Sequence, residues 1–239
     1  MNGEAQSEHI DPQRDVAVVP ERSEGLRTLV VTSVEAEQEA VLRGLGGDAA
    51  RFRVLAAGVG PAAAAAGTAA ALMSGEYGLV INAGVAGGFA GQAEVGSLVV
   101  ASEIVAADLG AESPERFISV DELGLGEARI AVDRLRSARL AKALLAAGLP
   151  VRSGPVLTVS TATGTAETAV QRAARVPGAA AEGMEGYGVA VAARLLGIPV
   201  LEIRAISNRV GRRDRSAWRI PEALGVLEKA FSIIAEVLV

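Results

Sequence analysis

At 239 residues the chain is long for one domain and short for two, so a single large α/β domain is expected. Half of the residues are apolar but only 3% are aromatic, so the core must consist of closely spaced layers of Ala, Val and Leu. A net charge of −5 argues against nucleic-acid binding through global charge. The absence of cysteine excludes a disulfide framework, a thiolate zinc site and a Cys nucleophile, and it fits a reducing cytoplasm.

Residues 1–25 are polar, lack an apolar signal core, and are expected to form a disordered N-terminal extension. His9, the only histidine, lies there, so carboxylates, amides, hydroxyls and backbone groups must carry any chemistry in the folded part. Residues 26–239 are read as one domain. No apolar run reaches the roughly 18 residues that suggest a membrane span.

From Leu26 onward, short apolar runs alternate with helix-like stretches. The runs Thr28–Ser33, Arg53–Gly58, Leu79–Gly84, Ser97–Ala107, Pro155–Ser160 and Pro199–Ser207 are continuous in Val, Ile and Leu, as expected of strands covered on both faces. Helices are predicted over Ala36–Leu45, Pro61–Met73, Ser137–Ala147, Thr165–Arg175, Gly186–Leu196 and Pro221–Leu238, with Pro61 and Pro221 suited to a first turn. This alternation predicts an α/β fold, a three-layer αβα sandwich. Leu109–Arg129 is polar and reads as a long irregular surface excursion.

Several stretches carry chemical signals. In "AAGVGPAAAAAG", Gly58, Gly60 and Ala63 mimic a dinucleotide-binding fingerprint, but the next strand ends in Asn82-Ala83-Gly84 rather than in a ribose-binding acid, so a tight strand-to-helix turn is the better reading. In "NAGVAGGF", Gly84, Gly87 and Gly88 allow backbone to approach a ligand, though loops use glycine for turns as often. In "EGMEGYG", Glu185 is either a helix-start carboxylate complementing the dipole or an acid placed to accept two sugar hydroxyls. Glu35, Glu37 and Glu39 of "SVEAEQEA" sit in the first turns of a helix, where acids are favoured for electrostatic reasons alone. Finally, the strand ending in Ser207-Asn208 runs into Arg209, Arg212, Arg213, Asp214, Arg215 and a lone Trp218.

Taken in order, the strand-end acid, "AGVG", "NAGVAGG", "EGMEG" and "RAISN" resemble the purine nucleoside phosphorylase and nucleosidase superfamily. The resemblance spans nearly all of Leu26–Val239 and implies its fold, with a central mixed sheet. The chain is most similar to the nucleosidase branch, because the strand before the glycine-rich segment lacks the phosphate-binding arginine of the phosphorylases. The resemblance implies that Glu37 activates the attacking water, that Glu185 holds the ribose hydroxyls, and that Met184 floors the sugar beside Gly183. By the same resemblance, Val85, Ala86 and Gly87 line the ribose and base, and Thr163 lies near the purine edge.

Nucleosidases acting on adenine nucleosides usually carry aspartate where this chain has Asn208. A protonated aspartate donates to N7 and accepts from a six-amino group, whereas an amide NH₂ donates to both acceptors of a six-oxo purine. Asn208 therefore points to hypoxanthine. With the basic stretch after it, this resembles the members of the branch that hydrolyse futalosine, an inosine-like nucleoside bearing an aryl carboxylate through its 5′ carbon. Arg209 and Arg213 are the expected carboxylate ligands; the plainer alternative is a solvated loop with one arginine paired to Asp214. The rivals are a methylthioadenosine/adenosylhomocysteine nucleosidase, a phosphorylase, and a non-catalytic nucleoside-binding protein. The expected partner is a small-molecule purine nucleoside, with no nucleic acid, membrane, metal or cofactor, and a homodimer or higher homo-oligomer is expected.

Overall fold

The structure, a computed structural model, describes residues 26–238. The expected N-terminal extension, residues 1–25, lies outside the described residues. Strand β1 (Arg27–Thr32) leads into helix α1 (Glu35–Leu45), followed by β2 (Phe52–Ala56), α2 (Pro61–Met73) and β3 (Tyr77–Gly88). Next come β4 (Leu98–Ala106), the short strands β5 (Gly110–Glu112), β6 (Phe117–Ser119) and β7 (Arg129–Ala131), α3 (Arg134–Ala146) and β8 (Val151–Thr158). The chain finishes with α4 (Ala166–Arg175), β9 (Ala181–Gly183), α5 (Gly186–Leu195), β10 (Val200–Arg209) and α6 (Ile220–Val237).

The strands are where continuous apolar runs predict them, because a strand covered on both faces gains by being apolar at every position. Leu29, Val30 and Val31 of β1 are fully buried. On one face of the sheet, α1, α3 and α6 bury Val41, Leu140, Leu144, Leu227 and Phe231 against Ile81, Leu98 and Ile203. On the other, α2 and α5 bury Ala64, Leu72, Val189 and Ala193 against Leu29, Val80 and Val99. The result is the expected three-layer αβα sandwich on a mixed sheet. Helix starts follow local chemistry: Asp133 accepts from the Arg136 amide at 2.9 Å, and Thr165 from the Thr168 amide at 3.1 Å.

The sheet order is β10-β4-β8-β9-β3-β1-β2, and β10 also pairs with β3. Strands β3, β10, β4, β8 and β9 therefore close into a ring, with β1 and β2 extending from β3. Two expectations change here. First, β3 does not stop at Gly84 but continues to Gly88. Its last residues pair with β10 on one side and β9 on the other, and this pairing outweighs the low strand preference of glycine. Second, Leu109–Arg129 is not irregular throughout: β5 and β6 form an antiparallel pair, and β7 adds to β4. Among the described residues, no helix is long and apolar enough to cross a membrane.

Candidate active site

The carboxyl ends of β1, β3 and β10, with β9 and the start of α5, surround a cavity of ≈ 330 Å³. All eleven site residues expected from sequence line it: Glu37, Val85, Ala86, Gly87, Thr163, Gly183, Met184, Glu185, Asn208, Arg209 and Arg213. The structure adds Glu182, Ser207, Arg212, Trp218 and Ile220 to the wall.

Glu37 is the third residue of α1, where a carboxylate that reaches back to the preceding backbone braces the helix start. Its Oε2 accepts from the Ser33 amide at 2.9 Å, the Ser33 hydroxyl at 2.7 Å and the Val34 amide at 3.3 Å. Its Oε1 takes one bond, from the Val85 amide at 2.8 Å, and keeps acceptor capacity for water. Gly84 makes this approach possible, because a Cβ there would lie 2.6 Å from Oε1.

Glu185 precedes α5 and is also buried. Its Oε1 accepts from the Gly60 amide at 3.2 Å, which gives the glycine-rich "AGVG" turn a role in positioning the acid. Its Oε2 accepts from the Met184 amide and from Arg204 Nη1, each at 3.3 Å. Arg204 and Glu202, two charges in an otherwise apolar strand, stand behind this acid, and their spacing within β10 is the sequence signal for them. Arg204 Nε donates to Glu202 Oε1 at 2.8 Å, and its Nη2 donates to Asn82 Oδ1. Burial by itself lowers the Arg204 pKa, but the carboxylates of Glu202, Glu185 and Glu37 outweigh it and hold the guanidinium above its ordinary value. Burial also pushes Glu202 above the usual carboxylate range, against the pull of Arg204. Its Oε2 has no partner among the described residues.

Asn208 ends β10. Its Nδ2 donates to the Arg209 carbonyl at 3.0 Å, and its Oδ1 accepts from the Ser207 hydroxyl at 2.9 Å. A carbonyl only accepts, so this pairing fixes which end of the amide is NH₂. One amide hydrogen is thus engaged within the chain and one is left for a ligand, not the two that paired contacts to N7 and O6 would use.

The basic stretch forms the rim. Arg209 is exposed and pairs with Glu94 at 3.1 Å. Arg213 is held by its own backbone, which donates to the Gly164 carbonyl at 3.1 Å, and its guanidinium lies 5.2 Å from the centre of the Trp218 ring. Asp214 forms no ion pair with an arginine among the described residues. Its Oδ1 accepts from the Ser216 amide and hydroxyl, at 3.0 and 2.6 Å, and caps the one-turn helix Arg215–Ala217. The Ser216 bonds hold its carboxyl below the usual range.

Two buried acids, Glu37 and Glu185, and the amide of Asn208 thus line one cavity. The family model of the phosphorylase superfamily matches residues 12–239, and the chain belongs to that superfamily. It is 49% identical to the futalosine hydrolase of Streptomyces coelicolor, over 89% of this chain and 97% of that protein. It is 48% identical to the futalosine hydrolase of Acidothermus cellulolyticus, over 87% and 90%. These relatives place the chain among the futalosine hydrolases. The solved futalosine hydrolase of Helicobacter pylori shares the fold, with a TM-score of 0.76 at 16% identity over 88% of this chain and 98% of that one.

Proposed function

We propose that the protein hydrolyses the N-glycosidic bond of futalosine, releasing hypoxanthine and dehypoxanthine futalosine in menaquinone biosynthesis. The reading is carried by one observation: the chain is 49% identical to a futalosine hydrolase, and an amide, Asn208, stands in its cavity wall. Its site residues act as follows. As the C1′–N9 bond lengthens, positive charge builds on the ribose ring. Glu185 accepts the sugar hydroxyls and fixes the ring, and Met184 lies beneath it. Glu37 takes a proton from water through Oε1 while the water oxygen bonds to C1′. The bond pair leaves with the base, whose developing charge Asn208 stabilises by donating a hydrogen bond to N7. Val85, Ala86, Gly87, Gly183 and Thr163 line the nucleoside.

Arg213, stacked beside Trp218, meets the aryl carboxylate; Arg209 is a weaker ligand because Glu94 already neutralises it. The protein works in the cytoplasm as a homo-oligomer and needs neither metal nor organic cofactor. The test is incubation with futalosine, aminofutalosine, methylthioadenosine and inosine without phosphate, followed by chromatography of free base. Hypoxanthine from futalosine, at the highest kcat/KM of the four, is expected. A requirement for phosphate, or preference for methylthioadenosine, would overturn the reading.

A further inference from the structure

The cavity wall holds a second charged group that the mechanism leaves unused. Glu182 of β9 is buried, and so is its ion-pair partner Arg172 of α4, at 2.8 Å. Glu182 Oε2 accepts from both Arg172 Nη1 and the Thr163 hydroxyl, the latter at 2.6 Å, while Oε1 accepts only from the Thr163 amide at 2.7 Å. A carboxylate has about four acceptor positions, and three are filled. The open one is on Oε1.

The sheet register places this acid relative to Asn208. Gly87 of β3 pairs with Glu182 of β9 on one side and with Asn208 of β10 on the other. The three residues form a row across three strands, and directly paired positions send their side chains to the same face. A Cβ on Gly87 would lie 2.9 Å from Val210 Cγ2 and 3.2 Å from Asn208 Nδ2, so only glycine here lets the Asn208 amide and Val210 pack over the middle of the row, and the cavity lies above them with Glu182 and Asn208 both in its wall. Strands spaced about 4.8 Å apart set the outer Cα atoms about 10 Å apart, which leaves room for a purine between the two side chains.

We infer that Glu182 is a specificity-determining residue that accepts the N1–H of a six-oxo purine while Asn208 holds its N7 edge. This rests on the proposed substrate reading and deepens it. A six-oxo purine in its lactam form presents, in order along one edge, an acceptor at N7, an acceptor at O6 and a donor at N1. Asn208 offers one free hydrogen to the first part of that edge, and Glu182 offers an acceptor to the last. A six-amino purine has a lone pair at N1, which would face the buried carboxylate with no hydrogen between them. Mismatched buried polar groups of this kind discriminate far more strongly than shape alone. Arg172 keeps Glu182 in place and supplies the countercharge.

Calorimetric binding of free bases tests this without any turnover. Wild-type protein should bind hypoxanthine at least tenfold more tightly than 1-methylhypoxanthine, which lacks N1–H. Glu182→Gln should shrink the preference for hypoxanthine over adenine by tenfold or more, because the charged acceptor is lost while the side chain keeps its size. A purely structural role would weaken both bases alike in the variant, and that result overturns the inference. Equal binding of hypoxanthine and 1-methylhypoxanthine by the wild type also overturns it, and requires no variant to fold. Failure of futalosine to release base would instead sink the proposed reaction and leave these base comparisons standing.

Discussion

The floor and the rim of the cavity are built on opposite principles. At the floor Glu37 and Glu185, and behind them Glu202 and Arg204, are all buried, and each donor or acceptor but Glu202 Oε2 is held by a neighbour. At the rim, Arg212, Arg213 and Arg215 form no ion pair with a described residue, and Arg213 and Arg215 are held by backbone and by the Trp218 ring. A buried charge must be satisfied by partners fixed in advance, whereas an exposed cation is already hydrated and can wait for its anion. Fixed partners suit the reacting centre, where charge must meet groups that do not reorganise. Hydrated partners suit capture of a charged substituent away from it.

Substitutions can break this contrast, the most severe at the floor. Glu37→Gln should lower kcat by about 10²- to 10⁴-fold with KM little changed, since the acceptor shape survives and the base does not. Steady-state kinetics and direct substrate binding check both parts; a variant keeping more than about a tenth of the wild-type rate would remove Glu37 as base. Asn208→Asp, between the two regions, should swing relative kcat/KM from futalosine toward the six-amino analogue by about tenfold, equivalent to about 1.4 kcal/mol. A ratio that stays within about twofold would show that this position does not read the base.

At the rim, Arg213→Ala should raise KM for futalosine several-fold, about 1 kcal/mol, and leave inosine kinetics unchanged, because inosine has no carboxylate. Added salt should narrow the difference for futalosine. The smallest effect is on stability. Glu202 is held above its ordinary value of 4.5 by burial, so the folded state binds a proton more tightly than the unfolded one. The stability this confers is complete below that value and is lost as pH rises through the folded one. Glu202→Gln should therefore gain on the wild type in melting temperature as pH rises above that ordinary value; a difference independent of pH would contradict the assignment.

How legible these regions were in the sequence follows from what holds each residue. Glu37, Glu185 and Asn208 were readable because each sits at a strand end or helix start with a local signature, in a fixed order along the chain. Glu182 was not, because only the register of β9 on β3 sets it opposite Asn208, and nothing within a few residues signals that pairing. Arg204 and Glu202 passed as part of an apolar strand, since strand patterning weighs the majority of residues. The alternative reading of the basic loop pairs Asp214 with an arginine; the neighbouring Ser216, two residues on, offers a closer and better-oriented amide. The β5–β6 pair escaped because three-residue strands in polar sequence are defined by each other rather than by their own composition.

Closure of the sheet has a dynamic consequence. Strand β3 has neighbours along both edges, and within the ring formed with β10, β4, β8 and β9 no strand presents an open edge from which unzipping can begin. Its backbone amides can exchange with solvent only when the ring itself opens, so Val80 to Ala86 should rank among the slowest-exchanging positions. Strand β2, bonded to β1 alone, has a free edge and should exchange through local fraying at much lower cost. The strand that supplies the Val85 amide to Glu37 is thereby tied to the last cooperative unit of the molecule to come apart.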